Sequence, residues 1–484
     1  MRIAIIGGGI AGLSAAYELE KARAAGQPVS YTLYEHRERL GGSLASETVD
    51  GSVLEQGPDS FISEKTAAAD LARELGLGDE LLASNDEARK TFIVVGNRLI
   101  PLPDGLMFLV PTKLIPTALT QLFSLGTKLR MGLELLRPPR AAAGDESVAE
   151  LVRRHFGQEA VDRLADPLLS GIYGGDATRL SAQTVLPGMV KMEAEYGSLC
   201  RGMLAGHRKM QAMKSAGSSK GNRPKRALFT AMRGGMQQLV DALAARIDEI
   251  SVRRSSPVSA LEKITEGWRV TSMGQSAVYD AVIIATPAWV ASELLKPVDE
   301  PLANELGAIP YSSSITVNLV YDEKKLGRLP EGFGFLVPAV EGRSLLACTF
   351  VHRKFLGRTA PGKAIMRAFL GGMRNESMLT ETDAVLVATV RRELGEILGP
   401  VAFDATLEPI YAQVTRWRRA MAQYAVGHKQ RTAKIAEHVA ALETLRLIGN
   451  AYDGIGVPDC IRLGRKAAQE LIAVRETVGQ GTRD

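Results

Sequence analysis

Two glycine-rich segments lie near opposite ends of this chain, and each has residue types and spacing that can hold a phosphate or the charged edge of a ring. The first, Gly7-Gly8-Gly9-Ile10-Ala11-Gly12, directly follows the apolar run Arg2-Ile3-Ala4-Ile5-Ile6. Glycines at 7, 9 and 12 fill the GxGxxG positions: the first permits a tight turn, the second a close backbone approach to a pyrophosphate, and the third close packing of helix on strand. A helix from about Ile10 to Arg23 would aim its positive N-terminal end at the phosphates. Val29 to Tyr34 reads as a second strand, and Glu35 at its end, with His36 beside it, is placed for a ribose hydroxyl pair. The loop Ala24-Ala25-Gly26-Gln27-Pro28 explains why Glu35 falls beyond the usual spacing of ~20 residues.

Further residues favour FAD over NAD. Arg39-Leu40-Gly41-Gly42-Ser43 supplies a cation and two more glycines that can wrap a pyrophosphate and a ribityl chain. Gly57-Pro58-Asp59-Ser60 is a small-residue turn suited to backbone approach beneath an isoalloxazine ring. At the far end, Gly449-Asn450-Ala451-Tyr452-Asp453-Gly454-Ile455-Gly456-Val457 opens a helix that would complete the same site. Cys200, Cys348 and Cys460 give no obvious covalent anchor, so the flavin is expected to be held non-covalently.

The elements that position these residues follow from the rest of the chain. With 484 residues, 45% of them hydrophobic, two to three domains are expected. Widely spaced cysteines without a CxxC suit a reducing compartment, and six histidines without HxxxH or HExxH spacing assign no metal. A net charge of +5 fits an anionic small substrate or a membrane surface better than a nucleic acid. No leader is read and no run reaches the ~18 apolar residues of a spanning helix. The expectation is a cytoplasmic protein, with a peripheral contact on the inner face of the cell membrane left open.

The fold class is α/β, with a discontinuous Rossmann-type FAD domain built from 1–88, 227–297 and 426–484. Residues 298–425 read as a β-sheet-based substrate domain, with strands near Ser314–Tyr321, Phe333–Val337 and Leu345–Val351, one face on a cavity. Residues 89–226 read as helical. There Leu114, Ala118, Leu122, Leu125, Leu129, Leu133 and Leu136 make an apolar stripe flanked by Lys113, Lys128, Arg130, Arg137 and Arg140. Two readings stand: a segment resting on an anionic membrane, or an amphipathic helix packed on its own domain, the latter ahead. Residues 211–226 read as a flexible basic loop.

Several further motifs occur together in one order: Gly57-Pro58-Asp59-Ser60, Pro167-Leu168-Leu169-Ser170-Gly171-Ile172-Tyr173-Gly174-Gly175-Asp176, Met232-Arg233-Gly234-Gly235-Met236, Phe333-Gly334-Phe335-Leu336-Val337-Pro338, Phe369-Leu370-Gly371-Gly372, Gln423-Tyr424-Ala425-Val426-Gly427-His428 and the closing segment. Over essentially its whole length the chain resembles the FAD-dependent protoporphyrinogen/coproporphyrinogen oxidases of haem biosynthesis, within the flavin amine oxidase superfamily. The resemblance implies a helical membrane-associated domain beside the FAD and substrate domains. It implies a porphyrinogen taken to its porphyrin in three two-electron steps, with O2 reoxidising the flavin and releasing hydrogen peroxide.

By the same resemblance, Gly7, Gly8, Gly9, Ile10, Ala11 and Gly12 hold the pyrophosphate and Glu35 the adenosine ribose. Gly42, Ser43 and Gly57 to Ser60 meet the ribityl chain and ring, Val258 clamps adenine, and Asn450, Ile455, Gly456 and Val457 lie at the ring. Leu336, Thr349 and Phe369 sandwich the tetrapyrrole, Thr349 departing from the leucine of some relatives. Gly174 and Gly175 form a turn behind a pyrrole, and Lys90 or its neighbour Arg89 meets a propionate. Trp417 and His428 are read as structural, and no catalytic base is assigned. Open partner readings are a homo-oligomer and a hand-over to a ferrochelatase. The rivals are a flavin amine oxidase or carotenoid-type desaturase on the same fold, and a non-enzymatic flavin-binding protein.

Overall fold

The computed structural model describes residues 1–107, 109–111, 113–140, 144–216 and 227–480. Arg2–Ile6 is the central strand of a five-stranded sheet, with Ser30–Tyr34 on one side and Ala281–Ile284 on the other. Val252–Arg253 and Leu445–Leu447 form the two edges, and every pairing is parallel. Parallel neighbours need crossovers that cover both faces, which is why these strands are nearly uniformly apolar. Helix Ile10–Ala24 makes the first crossover. The last helix, Val457–Gln480, packs on it so closely that a Cβ on Gly464 would stand 2.2 Å from the Ala11 carbonyl oxygen. The two ends of the chain therefore meet directly.

A second, seven-stranded sheet runs in the order Tyr411–Ala422, Tyr311–Asp322, Lys363–Gly371, Leu345–Phe350, Gly334–Leu336, Thr91–Val95, Arg98–Pro101. Its pairings are antiparallel except Gly334–Leu336 with Thr91–Val95. One face is apolar: Ile315, Val317, Leu319, Tyr321, Phe335, Cys348, Ala368 and Leu370 pack with Leu386, Val390 and Leu394 of helix Asp383–Leu398. By the two-residue period of a strand, the alternate residues face the other way, toward the five-stranded sheet's domain.

The structure corrects three expectations for the stretch 89–226. It opens with the two strands Thr91–Val95 and Arg98–Pro101, because Thr91-Phe92-Ile93-Val94-Val95 is β-branched and aromatic and finds a partner in Gly334–Leu336. The apolar stripe is not one packed helix. It breaks between Leu114–Leu119 and Leu125–Leu133, and Leu122 and Phe123 in the break turn inward. Leu119, Leu125, Leu129, Leu133 and Leu136 stay between 56% and 83% exposed. Finally, residues 211–216 continue the helix Leu199–Ala216 rather than a loop; 217–226 lie outside the described residues. No helix among the described residues is long and apolar enough to cross a membrane.

Glu134 closes this helical layer from within. Its carboxylate takes the Ser198 hydroxyl, the N–H groups of Leu199 and Cys200 at a helix start, and the His155 ring at 2.8 Å. His155 reaches Glu193 on its other side, and Arg154 pairs with both Glu193 and Glu146. Burial alone would raise the Glu134 carboxyl, but the bonds from His155 and Ser198 outweigh it and hold it at about 2.

Candidate active site

The front cradle fits a nucleotide pyrophosphate. Helix Ile10–Ala24 starts from Gly9 with no side-chain cap and no acidic residue in its first turn, so its first N–H groups are left for an anion. Gly12 has no room for a side chain: its Cβ would lie 1.9 Å from the Gly7 carbonyl oxygen. The second glycine turn is zipped onto the first, with Gly41 N–H donating to Gly8 O at 2.8 Å, and Gly9 bridged to Gly41. Arg39 stitches that turn together by donating to the carbonyls of Leu40, Gly42 and Leu44. Glu35, 4% exposed, accepts from the N–H groups of Gly8 and Arg37 and lies 2.8 Å from His36 Nδ1. Of the roughly four acceptor directions of a carboxylate, one remains for a hydroxyl. Val258 follows a segment that pairs along this strand end, with Ser256 N–H on Glu35 O and Ser255 N–H on Arg37 O.

The turn Gly57–Ser60 lies where this domain meets the seven-stranded sheet. A Cβ on Gly57 would stand 1.8 Å from the Ser43 carbonyl oxygen, so the Ser43 and Gly57 turns are in backbone contact. From the sheet, Asn318 donates to Glu55 O, Trp417 to Gln56 O and Arg367 to Gly57 O, and from the loop before strand Lys363–Gly371 Arg358 donates to Asp59 O. With the carbonyls held by the sheet domain, the N–H groups of Gly57, Asp59 and Ser60 find no protein acceptor among the described residues, which suits a ring with carbonyl and nitrogen edges. Asp59 pairs with Lys354 at 2.9 Å, and with Arg367 more loosely. Burial would raise its carboxyl, but these two cations hold it well below the usual carboxylate range.

Beside the turn, two cross-strand rows lie on the polar face of the sheet. Register pairs Leu336 with Ala347, Ala347 with Phe369 and Phe369 with Thr316. The next row pairs Gly334 with Thr349, Thr349 with Arg367, Arg367 with Asn318 and Asn318 with Gln413. Leu336, Thr349 and Phe369 are thus brought together on one face and are only partly buried, in strands whose neighbours are mostly closed off. Opposite Leu336 stands Gly171, exposed, whose Cβ would meet Leu336 Cδ2 at 3.2 Å. Gly174 and Gly175 sit one turn further on and are buried against Ser312 and Gln423. Lys90 precedes the strand beside Gly334, at the sheet margin; it is exposed, and its ammonium has no ion-pair partner among the described residues.

At the closing segment, Tyr424 has a role that its quoted motif did not specify. Its hydroxyl donates to Asn450 O and accepts from Gly454 N–H, fixing the loop before the last helix. Asn450 Nδ2 holds Ala420 O. Gly456 N–H donates to Asp459, which pairs with Lys65, so the last helix carries a carboxylate at its own start. His428 is buried and stacked 4.2 Å from Tyr424, and burial brings its ring down to about 4, so it is neutral. Arg367, Arg358, Lys354, Asn318 and Tyr424 were not singled out from sequence. The signal was present for Arg367 alone: one cation, two residues before Phe369, in the apolar strand Lys363–Gly371.

Known proteins are similar to this chain over nearly its whole length. A family model for flavin containing amine oxidoreductases matches residues 10–472. The chain is 31% identical over 473 residues to the coproporphyrinogen III oxidase of Bacillus subtilis, covering 97% of each. It is 31% identical over 484 residues to the protoporphyrinogen oxidase of Bos taurus, covering 97% of this chain and 98% of that one. A solved structure from Exiguobacterium sp. 255-15 superposes with TM-score 0.84 at 30% identity, covering 98% and 99%. Reduced UDP-galactopyranose mutase, at 14% identity and TM-score 0.70, shares the fold. The chain belongs to the flavin-containing amine oxidoreductase family, and within it to the group of the coproporphyrinogen III and protoporphyrinogen oxidases.

Proposed function

We propose that the protein oxidises a porphyrinogen to its porphyrin, with FAD held non-covalently between the front cradle, the Gly57–Ser60 turn and the closing segment. The observation that carries this reading is the half-open row Leu336, Thr349 and Phe369 beside a turn whose Gly57 carbonyl is held by Arg367 of the same sheet, with Glu55 O and Gln56 O just before it held by Asn318 and Trp417. Bound flavin supplies the two-electron acceptor. The chain's own residues then bind and orient: Leu336 and Phe369 offer apolar faces to the tetrapyrrole. Three oxidations remove six hydrogens, which three O2 carry away as three hydrogen peroxide; the porphyrin is then substrate for a metal-inserting ferrochelatase.

Lys90, unpaired at the margin, is the cation for a propionate in this reading. Turnover of coproporphyrinogen III and protoporphyrinogen IX is measured side by side, by the fluorescence of the porphyrin formed. Lys90→Ala is expected to raise KM several-fold with kcat nearly unchanged, the signature of lost uniform binding. An unchanged KM removes Lys90 from the site, and a yellow protein that forms no porphyrin from either substrate refutes the function.

The helical layer adds a peripheral membrane contact to the proposal. Ile115, Leu119, Leu125, Leu129, Leu133 and Leu136 are exposed, with Lys113 and Lys128 beside them, a pattern that suits an anionic lipid surface. Co-sedimentation with vesicles containing phosphatidylglycerol is expected for the native chain and lost for the double variant Leu125→Glu, Leu129→Glu, with turnover preserved. Equal sedimentation of the two refutes the contact.

A further inference from the structure

Five charged side chains cluster where the Gly57–Ser60 turn meets the sheet: Glu55, Lys354, Arg358 and Arg367 are buried and Asp59 is partly so. Arg358 pairs with Glu55 at 2.6 Å and Lys354 with Asp59 at 2.9 Å. Arg367 comes third, 3.6 Å from the same Asp59 oxygen that Lys354 already occupies. Three cations against two carboxylates leave one positive charge uncompensated within the cluster. Burial that pushes the Glu55 carboxyl up moves the balance further in the same direction.

The surplus sits on Arg367. Its Nη2 donates to Gly57 O, but its Nε is buried with no acceptor, and the side chain is 3% exposed. Directly opposite in register, Asn318 Oδ1 is likewise buried with no donor. The guanidinium lies 4.8 Å from the centre of the Phe369 ring. An unsatisfied buried N–H and an unpaired buried charge are both costly unless something outside the protein accepts them. The Arg367 guanidinium thus stands between the turn, through Gly57 O, and the aromatic ring of Phe369 in the neighbouring row.

We propose that Arg367 is a charge-compensating positioning residue for the flavin, presenting the unpaired positive charge of this buried cluster to the ring seated on the Gly57–Ser60 turn. The inference rests on that seat for the flavin. A flavin bound there would accept two electrons and one of the substrate's two protons, the other leaving to solvent, so the bound group would gain one negative charge. A fixed cation in a dry site favours that charge far more than the oxidised ring, so the cluster raises the flavin's reduction potential.

The test uses the flavin-loaded full chain and reads the midpoint potential by dye equilibration together with the affinity for sulfite, which adds to oxidised flavin and leaves an anion. Arg367→Gln keeps a donor for Gly57 O and removes the charge. It is expected to make flavin reduction about tenfold less favourable, ~30 mV for a two-electron couple, and to weaken sulfite binding by a similar factor. Arg367→Lys should retain most of both. Asp59→Asn, which frees a second positive charge, should move both the opposite way. Arg367→Gln and Asp59→Asn shifting in the same direction, or neither shifting with flavin bound, overturns the proposal. If Arg367→Gln does not fold, the sign of the Asp59→Asn shift decides alone. A native chain that retains no flavin refutes the seat itself, a different outcome from a bound flavin insensitive to these charges.

Discussion

Gly57→Ala should yield a folded protein that leaves purification without its yellow colour. The new Cβ would stand 1.8 Å from the Ser43 carbonyl oxygen, and ordinary contact begins near 3.4 Å, so the two turns must part by about 1.6 Å. Neither turn is free to give. Trp417 holds Gln56 O, Arg367 holds Gly57 O and Arg358 holds Asp59 O, while Arg39 binds the carbonyls of Gly42 and Leu44 on the other side. Backbone-on-backbone conflict of this kind is not relieved by a rotamer change. Flavin affinity is expected to fall a hundredfold or more, which is ~3 kcal/mol, measured by titrating the apoprotein with FAD. Gly126→Ala is the control, because a Cβ there meets nothing within 4 Å. Native affinity in Gly57→Ala would show that the turns are looser than their hydrogen bonds imply.

The second large effect is on stability. Glu134 is 1% exposed, and its carboxylate satisfies His155, Ser198 and two backbone N–H groups at once. Its folded value of about 2 lies below the ordinary 4.5. A depressed carboxyl contributes stability that is fully present above the unfolded value and is lost as pH falls through the folded one. The shift corresponds to roughly 3 kcal/mol. Glu134→Gln should therefore lower stability by about that amount at pH 7. The gap between native and variant should close as pH falls from about 5 toward 2. Denaturant melts across that range check it, and a gap independent of pH would mean that the ionised form of Glu134 contributes nothing.

What could be read from the residues alone was whatever is written locally. Gly7 to Gly12 must turn, approach and pack within six residues, so their spacing carried the cradle, and the strands at 311–322 and 345–350 announced themselves by alternation. Arg367, Arg358 and Asn318 act on backbone carbonyls about three hundred positions away, and no local pattern records a partner at that distance. The leucine stripe was legible as a period but not as a face. Nothing in the spacing of Leu125 and Leu129 tells whether protein or solvent lies beside them, and the break that turns Leu122 inward comes from packing. Gly171 stands within a quoted motif, yet its contact with Leu336 is fixed only by the meeting of a helix with a sheet.

The parallel sheet that builds the cradle also sets a timetable. Arg2–Ile6 is made more than four hundred residues before the edge strand Leu445–Leu447 and the helix that lays Gly464 against Ala11. Contacts spanning nearly the whole chain are slow to form, and a parallel sheet missing its outer strand is prone to stray pairing. The front half of the cradle therefore cannot meet the closing helix until that helix has been made, and waits until then as an open edge. A ligand that binds only the closed cradle stabilises it by mass action, so flavin added to the refolding chain should protect it from proteolysis.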